Sequence, residues 1–260
     1  MNVGSLFSGI GGFDLGLERA GFTISWQVEI DSYCQRVLAK HWPHVTRYGD
    51  ITAMDWSTVQ PVDLLCGGFP CQDLSFAGKR AGIEGARSGL WSEYVRAIVQ
   101  LRPRYVLVEN VPGLLTNAYM GRVLGDLAAC GYDAEWTVLS AGSIGAPHLR
   151  ERVWILAYPN SHGLEAHANE EILCLSSNNG YAERFIGSMG GASQWAEPCP
   201  IGARPMGVGN GIPTDVDRLR GLGNAVVPQI AEALGRMIMP LDGSTPAVKI
   251  ADTGKVVGVL

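Results

Sequence analysis

The stretch Val3-Gly4-Ser5-Leu6-Phe7-Ser8-Gly9-Ile10-Gly11-Gly12 decides how this chain folds. Val3–Phe7 is a short apolar run with strand character, and Ser8–Gly12 is a glycine-rich turn. Phe13, Leu17 and Ala20 then recur on one helical face, and Gly21 is a natural stop. Phe22–Val28 reads as a second strand ending at Glu29, and Asp31 is placed to cap a helix through about Lys40. This strand, glycine turn, helix and strand open a doubly wound, mostly parallel α/β sheet.

The alternation continues downstream. Val62–Cys66, Tyr105–Val108, Asp133–Leu139 and Arg152–Ala157 have strand patterns, while Ser88–Leu101, Asn117–Cys130 and Ala225–Met239 have helical ones. Residues 160–213 lose this periodicity and are rich in Gly, Ser, Asn and Pro. The expected layout is a catalytic domain from 1–157 plus 214–240, a small irregular recognition lobe inserted at 158–213, and a tail at 241–260. A structureless insertion of that length is unusual in a compact domain, so it should contact substrate.

Two places carry chemistry. A carboxylate ending the second strand, Glu29, can accept both hydroxyls of an adenosine ribose beside the Gly9–Gly12 turn. This alone leaves NAD, FAD and S-adenosylmethionine (SAM) open. The other place is Gly68-Phe69-Pro70-Cys71-Gln72, which follows the strand Val62–Cys66 and opens a loop through Ser75, Lys79 and Arg80. A thiol at the mouth of a strand sits where α/β enzymes keep reactive groups. Cys71 is therefore the candidate nucleophile.

Bulk composition narrows the classes. Of 260 residues, 47% are hydrophobic and 17% charged, which fits a globular protein. No apolar run is long enough to span a bilayer, and the start of the chain lacks a signal-peptide pattern, so a cytoplasmic protein without membrane contact is expected. The six cysteines form no C-x-x-C pair, so neither a zinc ribbon nor a bound metal is expected. A net charge of −5 argues mildly against nucleic acid, although a local basic patch can still bind phosphates.

Seven blocks then occur in one order: Phe7–Gly12, Glu29, Asp50-Ile51, Gly68–Gln72, Glu109-Asn110-Val111, Arg150-Glu151-Arg152 and Arg218–Gln229. In this the chain closely resembles the DNA cytosine-5 methyltransferases of compact prokaryotic and phage type, over about 1–157 and 213–239. The resemblance implies a Rossmann-like SAM-dependent methyltransferase fold, and methyl transfer from SAM to C5 of a flipped-out cytosine through a covalent bond from Cys71 to C6. It implies that Phe7, Ser8, Gly9, Gly11, Glu29, Ile30, Asp50, Ile51, Leu90 and Asn224 hold the cofactor. Cys71, Glu109, Arg150 and Arg152 are the implied catalytic group. Pro70, Gln72, Ser75, Lys79, Arg80, Asn110 and His148 would face the substrate. Double-stranded DNA is the implied partner of a monomer in a prokaryotic or phage-infected cell, together with a cognate restriction endonuclease or an accessory protein.

The chain departs from the family pattern at His148, where glutamine is usual. The lobe 158–213 carries Glu165, Glu170, Glu171, Glu183 and Glu197 against only Arg184 and Arg204, a poor composition for gripping phosphates. That acidity keeps open the same chemistry on RNA or a free pyrimidine nucleotide. A non-catalytic DNA-binding relative would need neither Cys71 nor Glu109, and a nicotinamide oxidoreductase leaves the Arg218–Gln229 block unexplained.

Overall fold

The computed structural model describes residues 1–70, 89–160, 217 and 221–239. Seven strands form one sheet: β1 (Asn2–Leu6), β2 (Thr23–Val28), β3 (Thr46–Tyr48), β4 (Leu64–Gly67), β5 (Tyr105–Asn110), β6 (Tyr132–Ser140) and β7 (Glu151–Pro159). Their spatial order is β3-β2-β1-β4-β5-β7-β6. The first five run parallel, and β7 slots antiparallel between β5 and β6. The expected doubly wound, mostly parallel sheet is therefore present. The sequence reading missed β3, whose three residues are too few to show a period.

Strand alternation splits the core into two faces. Leu65, Val106, Val108, Val153 and Ile155 point to one side, under α3 (Leu90–Leu101) and α4 (Asn117–Ala129). Leu64, Cys66, Leu107, Trp154 and Leu156 point to the other, under α1 (Gly12–Arg19) and α5 (Pro228–Ile238). Each fully buried aliphatic or aromatic side chain contributes about 1.5–3 kcal/mol. A further helix, α2 (Ser32–His41), starts where Asp31 accepts from the amides of Tyr33 and Cys34 at 2.9 and 3.0 Å.

Helix α5 joins α1 at very short range. A Cβ at Gly12 would collide with Val226, and one at Gly16 would collide with the Pro228 carbonyl and Ala231. Only glycine lets these backbones approach so closely. The periodic pattern from Ala225 starts slightly early: α5 begins at Pro228, whose fixed φ and missing N–H suit a first helical position. Among the described residues no helix is long and apolar enough to cross a membrane.

Behind the first turn lies a buried polar knot. Asp14 is fully enclosed and accepts from Ser5 Oγ at 3.1 Å and Gln27 Nε2 at 2.8 Å. Burial pushes its carboxyl up to about 6, partly offset by those hydrogen bonds. It ties α1 to β1 and β2 below the glycine turn.

Candidate active site

A cavity of about 460 Å³ opens at the C-terminal ends of the parallel strands. This is where open α/β sheets bind ligands. One wall comes from β1, β2 and the start of α2; the other comes from β4, β5 and β7; residues 221–224 close the rim.

The first wall is built by main-chain capping. Phe7 follows β1 with φ 51, in the left-handed region that non-glycine residues rarely adopt, and lines the cavity. Such a conformation costs about 1–3 kcal/mol and concentrates at functional sites. Glu29 pins the glycine turn: Oε2 accepts from the Gly9 amide and Oε1 from the Asp31 amide, each at 2.7 Å. Asp50 accepts from the Thr52 amide at 2.9 Å, which holds its exposed carboxyl below the usual range. Arg96 of α3 donates to the Ile51 and Met54 carbonyls, fixing the turn that carries Asp50 and Ile51. Leu90 and Ile30 also line the space, and Ile30 is 71% exposed, an apolar side chain left open at the rim.

Ser8 and Gly11 do not line the cavity. The Ser8 hydroxyl donates to the Ser5 and Val28 carbonyls beneath the turn. Gly11 caps α1 on the side facing Trp42 and Leu38. Both shape the turn from behind, because the chain reverses direction there.

The second wall depends on side chains far apart in sequence. Parallel pairing of β4 with β5 puts Gly67 beside Val108, so Gly68 meets Glu109. A Cβ at Gly68 would lie 2.6 Å from Glu109 Oε2, so the missing side chain is the space the carboxylate occupies. Arg152 Nε donates to Glu109 Oε1 at 3.0 Å. Burial raises the Glu109 carboxyl above its ordinary value, against the pull of Arg152 and Arg150. Asn110 Nδ2 donates to the Phe69 carbonyl at 3.2 Å, holding the backbone that leads into Pro70, which lines the cavity. Cys71, Gln72, Ser75, Lys79 and Arg80 lie outside the described residues.

Arg150 also has a positive φ, of 31. Its guanidinium turns toward the C-terminal segment, donating to the Gly223 carbonyl at 2.9 Å and the Ala225 carbonyl at 2.6 Å. Asn224, between them, lines the cavity. No periodicity or motif signalled this link, because 73 residues separate Arg150 from Gly223. Asp14 was missed too; its one sequence signal is an acid beside the apolar face of Phe13 and Leu17. His148 is exposed and does not line the cavity.

The model of the C-5 cytosine-specific DNA methylase family matches residues 1–185. The Type II methyltransferase M2.BsuMI of Bacillus subtilis is 40% identical over 167 residues, covering 60% of this chain and 42% of that protein. M.HhaI of Haemophilus parahaemolyticus is 32% identical over 163 residues, covering 62% and 50%. The chain thus spans about half the length of the relatives it matches. Among solved structures, a prophage-encoded protein of E. coli described as a DNA modification methyltransferase superposes with a TM-score of 0.54 at 29% identity, covering 62% of this chain and 47% of that one. The S. pombe Dnmt2 methyltransferase, at 22% identity and a TM-score of 0.54 over 69% of this chain and 57% of that one, shares the fold. A sheet of this order, a glycine turn pinned by Glu29 and a family match over most of the length converge: the chain belongs to the C-5 cytosine-specific DNA methylases.

Proposed function

We propose that the protein transfers a methyl group from SAM to C5 of a cytosine extruded from double-stranded DNA. The observation that supports this most is one cavity bounded by two different walls. Phe7, Glu29 and Asp50 stand on one side, and Pro70 with the Glu109–Arg152 pair on the other. The first wall suits an adenosine. Phe7 and Ile30 offer apolar surface to a base, Glu29 offers carboxylate lone pairs to ribose hydroxyls, and Asp50 offers an acceptor to an amino group. Asn224 and Leu90 would face the amino-acid end. When bound, SAM supplies an electrophilic methyl group on its sulfonium.

The protein's own groups prepare the base. The Cys71 thiolate adds to C6, forming an S–C bond and pushing the ring electron pair toward C5 and N3. Glu109, with its carboxyl raised by burial, holds a proton at N3 and relieves that charge. Arg152 fixes the orientation of the carboxyl. After C5 is methylated and loses its proton, the thiolate leaves and the ring double bond returns. A base stacked in a duplex cannot reach such a cavity, so it must be extruded at a cost of a few kcal/mol. Gln72, Ser75, Lys79 and Arg80 would then contact the DNA. A cognate restriction endonuclease or accessory protein fits the naming of the Type II relatives.

Incubation with SAM and duplex DNA containing 5-fluorocytosine tests the reading. The fluorine blocks loss from C5, so a stable protein–DNA adduct at Cys71 is expected, and Cys71→Ser should give none. An unmodified protein under conditions where SAM binds overturns it.

A further inference from the structure

We infer that Arg150 is a positioning residue for the cofactor rather than a group acting on the base: its guanidinium fork holds the carbonyls on both sides of Asn224 and so sets that side chain against the SAM pocket. This rests on the reading of the cavity as the SAM site. The two arginines of Arg150-Glu151-Arg152 divide their work. Arg152 pairs with Glu109 at 3.0 Å, whereas Arg150 donates to Gly223 and Ala225.

Residues 221–224 are helical and 225–227 leave the helix, with Val227 extended, before α5 begins. The carbonyls of Gly223 and Ala225 therefore have no next helical turn to accept from, and a cation at such an end is favourable. The far end of the segment is held separately, by Val226 and Pro228 against Gly12 and Gly16. Arg150 grips the front end from across the sheet. Its left-handed backbone conformation fits this role, because such strain persists only where surrounding contacts fix it. Two N–H bonds from one planar group to two carbonyls hold position and angle together, which a lysine cannot do.

Calorimetric titration of the whole chain with SAM in the absence of DNA separates the roles. Arg150→Ala and Asn224→Ala should each weaken SAM binding by about tenfold, the loss expected when one hydrogen bond to a charged group is broken. The double variant should be no weaker than the worse single, because both changes remove one arrangement. Arg152→Ala should bind SAM within about twofold of the unchanged protein yet lose methyl transfer. Arg150→Lys, which keeps the charge and one donor, should fall between Arg150→Ala and the parent, and it carries the test if Arg150→Ala does not fold. Full SAM affinity in the folded Arg150 variants, or losses that multiply in the double variant, overturns the inference. A parent protein that binds no SAM instead overturns the reading of the cavity.

Discussion

The two walls of the cavity are made in opposite ways. On the β1–β2 side, carboxylates are held mostly by amides close by in the chain: Asp50 by Thr52, Asp31 by Tyr33 and Cys34, and one oxygen of Glu29 by Asp31, while its other oxygen reaches the Gly9 amide of the glycine turn. On the β4–β5–β7 side the contacts that shape the carboxylate end join distant segments: Arg152 to Glu109 and Asn110 to Phe69. Local capping does most of the shaping of the first wall, with Arg96 bracing it from α3. Long-range pairing produces a site that exists only once the sheet is complete. A ligand can thus be held by one wall while chemistry is set by the other, and substitutions should separate the two.

The largest expected separation is at Glu109. Glu109→Gln keeps the shape but cannot deliver a proton, so methyl transfer should fall by about 10²–10⁴ while SAM affinity is kept. Rate and binding measured on one preparation check this, and a comparable loss of both would merge the two walls. Gly68→Ala comes next. The added methyl displaces the Glu109 carboxylate, and an error of about 1 Å can cost about 10² in rate. In a Glu109→Gln background the same methyl should cost almost nothing further.

A subtler probe sits behind the first wall. The Asp14 carboxyl stands at about 6 in the folded state against 3.8 in the open chain. The folded protein therefore holds this proton more tightly, and the stabilising contribution is complete below about 4. It is lost as pH rises through 6, by roughly 2–3 kcal/mol in total. Asp14→Asn should remove that slope; urea unfolding of both proteins from pH 4 to 8 measures it, and a pH-independent difference between them argues against the shift. The smallest effect is expected at Glu29→Gln, which trades one acceptor oxygen for an amide. SAM binding should weaken by about tenfold with the rate at saturation unchanged.

The same contrast governs what the residues disclose in advance. Glycine turns, the cap at Asp31 and the strand ends at Glu29 and Glu109 are legible because their partners lie within a few residues or follow from strand order. β3 was not legible, since Thr46-Arg47-Tyr48 has no apolar repeat. The antiparallel insertion of β7 between β5 and β6 was not legible either, because pairing direction leaves no mark in a buried strand. Ser8, Gly11 and His148 belong to segments that border the cavity without lining it: Ser8 bonds to carbonyls beneath the turn, Gly11 faces Trp42, and His148 is exposed. The forked grip of Arg150 depends on a backbone angle and a remote carbonyl pair, neither of which composition encodes.

The contact between α1 and α5 has a consequence for biosynthesis. Phe13, Leu17, Leu64, Leu107 and Leu156 share their apolar face with Ile230, Ala231 and Leu234. A ribosome emits the first group long before the second. Until α5 clears the exit tunnel, the nascent molecule displays one greasy side of an almost finished sheet, the kind of surface that chaperones bind and that neighbours stick to. Vectorial synthesis thus makes the late helix a closing plate, and premature termination ahead of residue 228 should yield insoluble product rather than a slower enzyme.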